Sequence, residues 1–324
     1  MQTSKQHTIV KMNEFGKAKR PFVFLIDFDF QKPRVWEWEE SQQHLLWKSP
    51  QHANFEPVQN TIAPFTWNVN PVSYARYQQA FELVQHHLHN GDSYLLNLTM
   101  PSDVETNLSL NEIFHASHSP YKLLLKNQFV CFSPETFIRI ENNEVSSFPM
   151  KGTIDATLEN AAFILKNDKK ELAEHNTIVD LIRNDLSMVA DQVQVKKYRY
   201  LDHIKSNRNE LLQMSSQITG KLPPDYHEYL GDLIARLLPA GSISGAPKKK
   251  TVDIIKEAEN YDRGYYTGIF GVFDGENLDS CVLIRYLEQQ SKKLVFKSGG
   301  GITFQSNCQQ EYDELVRKVY VPLA

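Results

Sequence analysis

The amino-acid sequence predicts a protein of mixed α-helices and antiparallel β-strands. Residues 121–145 and 267–305 each contain apolar strands separated by turn signals, a pattern that is typical of antiparallel meanders. Between them, residues 157–190 carry apolar side chains at a 3.6-residue period without glycine or proline, which indicates the longest helical region. The 324 residues exceed a usual single core of about 100–200 residues, so the chain forms either two domains or one large interlocked body.

The remaining elements follow from periodicity and from turn residues. Residues 73–90 have apolar side chains at helical spacing, and Asn90-Gly91 is a typical C-terminal helix stop. No repeat, low-complexity tract or Gly/Ser linker marks a domain boundary. The other predicted elements, in chain order, are a β-type apolar run at 22–30, strands and loops up to Pro71, a strand at 94–100 and a last helix at 309–323.

Composition and charge exclude several functional classes. The net charge is −4 with a pI near 6.3, and no stripe of Lys and Arg interleaves with aromatic residues, so nucleic acid is not an expected partner. No apolar run approaches the roughly 18 residues that span a bilayer, and the polar N-terminus lacks a secretory signal. Cys131, Cys281 and Cys308 are far apart, which argues against disulfides and a zinc site. We therefore expect a cytoplasmic protein without a membrane anchor.

Two pairs of glutamates are candidate metal ligands. Glu171 and Glu174 lie three residues apart on a predicted helix, as do Glu311 and Glu314, so the two carboxylates of each pair share one face. Four carboxylates facing one cleft would suit Mg²⁺, which prefers oxygen ligands and leaves positions for substrate oxygens. Exposed glutamates at this spacing are common, however, and Asp168 followed by Glu171 also fits a helix-capping pattern. Both interpretations stay open.

Two further features are candidate anion sites. The run SGGGITF at 298–304 follows a predicted strand, and its glycines allow consecutive backbone N–H groups to approach an anion, although a tight turn explains them equally well. Strand alternation in CVLIRYLE places Arg285 on the otherwise apolar face that carries Leu283 and Leu287. A guanidinium there needs an anionic partner, which is either a protein carboxylate or a ligand.

The run AGSISGAPKKK at 240–250 superficially resembles a phosphate loop. Gly241 and Gly245 enclose three residues instead of four, and Ala246-Pro247 replaces the Lys-Ser/Thr step of that loop. The sequence therefore argues against a nucleotide P-loop.

Lys151 lies in the motif FPMKGT and has two possible roles. It is either an ordinary surface lysine or a nucleophile, and a nucleophilic amine must be neutral. With an unperturbed pKa near 10.4, about one lysine in a few thousand is neutral at pH 7. Burial or a neighbouring cation would have to lower the pKa of Lys151 for it to act as a nucleophile.

Six motifs of the chain occur in the order found in one enzyme family. On these motifs the sequence resembles the chorismate-utilising enzymes, which include component I of anthranilate synthase and of aminodeoxychorismate synthase and the isochorismate and salicylate synthases. The resemblance runs from Tyr74 to the C-terminus. It implies an α+β fold of two orthogonally packed antiparallel β-sheets flanked by helices in α/β/β/α layers, with residues 1–70 as a short strand-rich segment of the same body and 71–324 as the chorismate-binding catalytic domain. The motifs are FPMKGT, AEHNTIVDLIRNDL, LLPAGSISGAPK, RGYYTGIFG, SCVLIRY and SGGGITFQSNCQQEYDE.

The resemblance also implies roles for single residues. Glu174 and Glu314 match direct Mg²⁺ ligands, and Glu171 and Glu311 match residues that hold the metal through water, while Mg²⁺ binds the ring carboxylate of chorismate. Glu135 matches a general acid that protonates the departing C4 hydroxyl. The positions that match substrate-binding residues are Thr153, Tyr266, Arg285, Gly299, Gly300, Gly301 and Lys318.

Three positions discriminate between branches of the family. Isochorismate and salicylate synthases have a water-activating lysine where this chain has Leu95, and anthranilate synthases have alanine where it has Lys151. Lysine there marks aminodeoxychorismate synthases, in which the amine attacks C2 and ammonia then enters at C4. Gln213 stands where the family often has a histidine linked mainly to the anthranilate branch. The resemblance thus implies the p-aminobenzoate and folate branch, with anthranilate synthase component I or a non-catalytic chorismate-binding subunit as alternatives.

The sequence also bears on the source of nitrogen. A glutamine amidotransferase of the triad type needs a cysteine in a Gly-x-Cys-x-Gly elbow, and none of the three cysteines fits that pattern. We therefore expect ammonia to come from solution or from a separate glutamine amidotransferase subunit.

Overall fold

Two antiparallel β-sheets flanked by helices form the body of the protein. The computed structural model describes residues 4–56, 64–205 and 210–323, and within them one sheet has nine strands and the other eight. This arrangement confirms the predicted α+β class. In chain order the strands are β1 Phe22–Ile26, β2 Arg34–Glu37, β3 Leu45–Lys48, β4 Trp67–Asn70, β5 Leu95–Thr106, β6 Tyr121–Leu125, β7 Phe129–Ser133, β8 Thr136–Glu141, β9 Glu144–Ser147, β10 Met150–Asp155, β11 Asp191–Lys205, β12 Glu210–Lys221, β13 Gly245–Ala246, β14 Ile269–Phe273, β15 Leu278–Val282, β16 Tyr286–Gln290 and β17 Lys293–Ile302.

The strand order in both sheets departs from the chain order. The first sheet runs β10, β12, β9, β8, β15, β14, β1, β2, with β11 paired to β12. The second runs β13, β5, β17, β16, β7, β6, β3, with β4 paired to β5. Strands from before residue 71 therefore pair in both sheets. The helices are α1 Ser4–Lys17, α2 Trp38–His44, α3 Tyr74–His89, α4 Leu110–Ala116, α5 Ala161–Asn167, α6 Lys169–Ser187, α7 Leu230–Leu237, α8 Lys248–Glu259 and α9 Cys308–Arg317, with short 3₁₀ helices at Tyr226–Tyr229 and Gly241–Ile243.

The buried side chains of β1 alternate between two cores. Phe22, Phe24 and Ile26 pack in a cluster with residues of α1 and α7. Val23 and Leu25 pack in a second cluster with residues of β3, β6 and β7 of the other sheet. Because successive side chains of a strand point to opposite faces, β1 separates a helix-covered face from the interface between the sheets. On the second sheet, α3 and α8 pack against β5.

Both predicted meanders switch from one sheet to the other. Residues 121–145 form β6 and β7 in the second sheet, then β8 and β9 in the first. Residues 267–305 form β14 and β15 in the first sheet, then β16 and β17 in the second. The chain changes sheet at residues 134–135 and again at 283–285. These two segments are called the crossings below.

The predicted helices are confirmed with one division. The helix predicted at 73–90 is α3, capped by the Ser73 side chain, which accepts a hydrogen bond from the Arg76 N–H at 3.3 Å. The region predicted at 157–190 contains two helices, α5 and α6, which meet at Asp168. The Asp168 carboxylate accepts from the Glu171 N–H at 3.0 Å, so the predicted cap begins a new helix there. The last helix ends at Arg317, earlier than predicted.

Among the residues that the structure describes, no helix has the length and the apolar character that crossing a membrane requires.

Candidate active site

All thirteen site residues predicted from the sequence line one cavity of about 530 Å³. Its walls come from both crossings, from β10 and β17, and from α6 and α9. Residues far apart in the sequence therefore meet where the chain passes from one sheet to the other. Their location in one cavity is a structural fact, whereas their individual roles stay predictions.

Each crossing is hydrogen-bonded to the end of the strand that leads into the other crossing. The Phe132 N–H donates to the Arg285 carbonyl at 3.1 Å, and the Val282 N–H donates to the Glu135 carbonyl at 3.2 Å. Glu135 belongs to the first crossing and Arg285 to the second. The paired backbones thus hold a carboxyl group and a guanidinium at the same junction of the sheets.

Arg285 lies outside any strand, so the single strand predicted through it is wrong. The first strand ends at Val282, the next begins at Tyr286, and Arg285 has a φ of 53° in the left-handed region. Its Nη1 donates to the Lys318 carbonyl at 3.0 Å, and its guanidinium lies 4.7 Å from the centre of the Tyr320 ring. Among the described residues, no carboxylate lies within 4 Å of it. The remaining N–H groups can therefore bind an anion in the cavity.

The glycine run lies inside β17 and not after it, which corrects the predicted loop. β17 pairs with β16 only as far as Lys297, opposite Tyr286, and beyond that point it pairs with β5 alone. The edge that β16 leaves uncovered faces the cavity. A Cβ on Gly301 would lie 3.2 Å from both Lys151 Nζ and Leu95 Cδ1, so the absence of a side chain keeps this space open.

Lys151 enters the cavity from a β-bulge in β10. Met150 pairs with Ser215 and Thr153 with Gln213, so β10 has one more residue than β12 over this interval. Gly152 has a φ of 85°, and a Cβ there would lie 2.9 Å from Leu165 Cδ1 and 3.1 Å from Glu171 Oε2. Glycine is therefore required beside Lys151, both for its conformation and for space.

The surroundings of Lys151 favour its charged form. Nζ lies 3.1 Å from Glu174 Oε2. Burial acts to lower the pKa of Lys151, but Glu174, followed by Glu171 and Glu314, outweighs it, so the pKa lies above the ordinary value. This direction is opposite to the one that a nucleophile needs. The neutral amine would require the negative charge of these carboxylates to be reduced.

The four glutamates surround the same region as the two lysines. Glu174 and Glu311 are buried, and Glu314 Oε1 lies 2.6 Å from Lys318 Nζ. Burial lowers the pKa of Lys318, against the opposing effect of Glu314. The cavity therefore contains charged groups of both signs close together, with Lys151 next to Glu174 and Lys318 next to Glu314.

A magnesium site can be tested against this set. In the described part of the chain, no group of three or more Asp, Glu, His or Cys residues is placed so that it could hold a metal ion. The donors nevertheless fit Mg²⁺ in kind, because they are all carboxylates. Gly300 also leaves space beside two of them, since a Cβ there would lie 3.6 Å from Glu314 Oε1 and 3.7 Å from Glu311 Oε2. The residues fit the ion by chemistry, and the lysines would have to withdraw for it to bind.

Burial in the cavity wall favours the protonated form of the Glu135 carboxyl. Its Oε1 accepts a hydrogen bond from Ser242 Oγ at 2.6 Å, and its N–H donates to Ser133 Oγ at 3.1 Å. Burial raises its pKa above the ordinary carboxyl value, although Ser242, Lys151 and Lys318 act in the opposite direction. The sequence did not point to Ser242, which lies in the rejected phosphate-loop pattern, because its contact with Glu135 joins residues far apart in the chain.

The other predicted residues complete the walls. Gln213 Nε2 lies 3.5 Å from Thr153 Oγ1, across the pairing of β10 and β12. Tyr266 is buried, and its burial raises the pKa of the phenol. Leu95 packs with Ile178 and Leu181. An apolar side chain therefore occupies the position that the motif resemblance matches to the water-activating lysine of isochorismate and salicylate synthases.

Comparison with known proteins places the chain in a family. The model of a family described as chorismate binding enzyme matches residues 14–324. The chain belongs to this chorismate-binding enzyme family. The match begins well before Tyr74, where the motif resemblance begins.

Three known proteins show how similar this chorismate-binding enzyme is to its relatives. An uncharacterized PabA-like protein of Haemophilus influenzae is 51% identical over 322 residues, which is 99% of this chain and 98% of that protein. Aminodeoxychorismate synthase component 1 of Escherichia coli strain K12 is 32% identical over 298 residues, which is 87% of this chain and 62% of that protein. The crystal structure of anthranilate synthase component I from Streptococcus pneumoniae has a TM-score of 0.66 at 25% identity and covers 79% of this chain and 59% of that one.

Proposed function

We propose that this chorismate-binding enzyme is an aminodeoxychorismate synthase component I, which converts chorismate and ammonia to 4-amino-4-deoxychorismate. The observation that carries the proposal is the Lys151 amine, which a β-bulge places in the same cavity as Glu135. The motif resemblance gives anthranilate synthases an alanine at this position, so they do not use this amine. The similarity to the Escherichia coli protein of that name supports the same assignment.

The cavity residues divide the work of substrate binding. Arg285, Lys318 and the uncovered edge of β17 supply cationic and N–H groups for the carboxylates of chorismate.

In the first step the Lys151 amine forms a bond to C2, the ring double bonds shift, and the C4–O bond breaks. The departing oxygen takes the proton of Glu135 and leaves as water. In the second step ammonia bonds to C4, the double bonds shift back, and the bond between C2 and the lysine nitrogen breaks.

We assign Glu171, Glu174, Glu311 and Glu314 to a Mg²⁺ site. When bound, the ion would supply positive charge against a substrate carboxylate. These four side chains would hold it directly or through water. Their oxygen-only chemistry is what supports the assignment.

The nitrogen source belongs to the same proposal. Burial raises the pKa of the thiols of Cys131, Cys281 and Cys308, so none of the three has the environment of a nucleophilic cysteine. Ammonia is therefore supplied from solution or by a separate glutamine amidotransferase. We also propose a cytoplasmic location for the enzyme.

A second candidate is anthranilate synthase component I. The observation that favours it is the ion pair of Lys151 with Glu174, since a lysine held as an ammonium does not attack chorismate. Ammonia would then attack C2 directly, and pyruvate would be eliminated.

Product analysis separates the two candidates. Incubation of the full chain with chorismate, Mg²⁺ and ammonium chloride is expected to give a compound that an added aminodeoxychorismate lyase converts to p-aminobenzoate. Chromatography identifies the product, and a reaction with excess EDTA tests the metal requirement. Anthranilate as the main product would overturn the assignment, and the absence of any turnover would indicate a binding subunit.

Substitution of Arg285 is expected to weaken chorismate binding. Arg285→Ala should raise the KM for chorismate about 10-fold to 100-fold, because a hydrogen bond to a charged group contributes roughly 1.5–3 kcal/mol. Arg285→Lys should recover only part of the loss, since an ammonium lacks the planar fork. Arg183→Ala, at an exposed position of α6, is the matched control. A chorismate KM that is equal in Arg285→Ala and wild type would refute the role.

A further inference from the structure

Asn97 is a cavity residue that none of the predicted roles uses. It lies in β5, and its side chain lines the cavity. Its Oδ1 is buried and has no hydrogen-bond partner among the described residues. A buried carbonyl oxygen without a partner is costly, because it has lost its hydrogen bonds to water. Such an atom in a reaction cavity therefore points to a bound hydrogen-bond donor.

The register of β5 and β17 places Asn97 on the side of Lys151. Asn97 pairs directly with Gly301, and residues that face each other in an antiparallel pair project to the same side of the sheet. A Cβ on Gly301 would lie 3.2 Å from Lys151 Nζ. Leu95, two residues before Asn97, lies on that same side, and its Cδ1 is 3.2 Å from where this Cβ of Gly301 would be. The Asn97 amide thus borders the space next to the lysine.

The backbone of Asn97 is fixed independently of its side chain. Its N–H donates to the Ser244 carbonyl at 3.0 Å, and its carbonyl accepts from Arg263 Nη2 at 2.6 Å. Arg263 is itself buried in an ion pair with Glu259. These two bonds hold the backbone of Asn97 without using its side-chain amide.

The chemistry of the cavity narrows what the Asn97 oxygen can bind. The carboxylates of chorismate accept hydrogen bonds, so they would face Arg285 and Lys318 and not another acceptor. The hydroxyl that leaves C4 is served by Glu135. Of the reactants in the proposed function, ammonia is the hydrogen-bond donor to which no residue has yet been assigned.

We propose that Asn97 Oδ1 accepts a hydrogen bond from the incoming ammonia and holds it for attack on the ring. This inference rests on the proposed function and adds a residue for the second substrate. Asn97 takes no proton: the ammonia lone pair forms the new C–N bond, and the excess proton passes to the lysine amine that is released. Leu95 next to it offers no hydrogen bond to water.

The test compares the KM for ammonium with the KM for chorismate. Asn97→Leu, which has similar volume and no acceptor, should raise the KM for ammonium about ten-fold, the factor expected from the loss of one hydrogen bond, with the chorismate KM within about two-fold of wild type. Asn97→Asp keeps an acceptor oxygen and should retain most of the affinity for ammonium. Asn68→Leu, at an exposed position of β4 in the same sheet, is the matched control.

The outcomes separate this inference from the proposed function. An unchanged ammonium KM in Asn97→Leu, or a rise confined to the chorismate KM, overturns the inference while wild type still makes 4-amino-4-deoxychorismate. If wild type makes anthranilate, the proposed function fails, but the ammonium KM of the variants still decides the role of Asn97. If Asn97→Leu does not fold, as judged by circular dichroism, Asn97→Ala serves for the same measurement.

Discussion

Lys151→Ala is expected to abolish 4-amino-4-deoxychorismate formation, with a fall in kcat of about 10³-fold or more. Removal of a nucleophile eliminates the covalent route altogether, and only direct attack by ammonia is left. Because Lys151 Nζ lies 3.2 Å from where a Cβ of Gly301 would be, removal of the lysine side chain also opens cavity space for ammonia. Any residual product should shift toward C2 amination. Chromatography of the products and mass spectrometry of wild type quenched with chorismate would measure both effects.

Two variants control for effects on the fold. Lys151→Met keeps the aliphatic stem and should lose activity like the alanine variant, whereas Lys249→Ala, at an exposed position of α8, should retain it. Thermal unfolding of the Lys151 variants shows whether the loss of the ion pair with Glu174 affects stability. Unchanged aminodeoxychorismate formation by Lys151→Ala would remove the lysine from the mechanism.

Glu135→Gln is expected to lower kcat about 10²-fold to 10⁴-fold, which is the usual contribution of a general acid. The amide can still accept the hydrogen bond of Ser242, so the geometry is kept while the proton is lost. In wild type, the carboxyl must be protonated, and its raised pKa extends activity to higher pH than an ordinary glutamate would allow. Activity should therefore fall as the pH rises through that pKa. The pH–rate profile of Glu135→Gln should lack this limb.

The same substitution separates catalysis from stability. A carboxyl whose pKa is raised by folding stabilises the protein least above that pKa, so wild-type stability falls as the pH rises from the unfolded through the folded pKa of Glu135. Replacement by glutamine removes this loss, and the thermal midpoint of Glu135→Gln near neutral pH should not be below that of wild type. A variant with full activity, or one with activity lost only through unfolding, would contradict the acid role.

Local signals explain which parts of the fold were predictable. Helix α3 has its N-cap, its apolar stripe and its stop within one stretch, and the predicted ends lie within one residue of the observed ones. The division between α5 and α6 falls at Asp168. Its capping pattern competes with an apolar period that runs through this position without interruption, and the period alone predicts one helix. Helix α1 was not predicted, although Ile9, Met12 and Phe15 recur at helical spacing and are buried.

Contacts between distant residues set the limit on predicting the site. The motifs identified the residues that line the cavity, because each motif is a continuous stretch. The bond from Ser242 to Glu135 and the pairing of Asn97 with Gly301 join elements more than a hundred residues apart, and no local pattern encodes them. The sequence also left the pKa of Lys151 open, because this pKa depends on carboxylates of α6 and α9 that converge only after folding.

The chain passes from one sheet to the other at both crossings, so the relative positions of the catalytic groups depend on the backbone that joins the sheets. Glu135 and Arg285 lie in the two crossings, and each accepts a backbone hydrogen bond from the strand that leads into the other crossing. A slide of one sheet over the other would pull on both crossings at once, so the acid and the guanidinium would move together and keep their spacing. Repacking the interface between the sheets should therefore change the stability of the enzyme well before it changes the relative placement of these two groups.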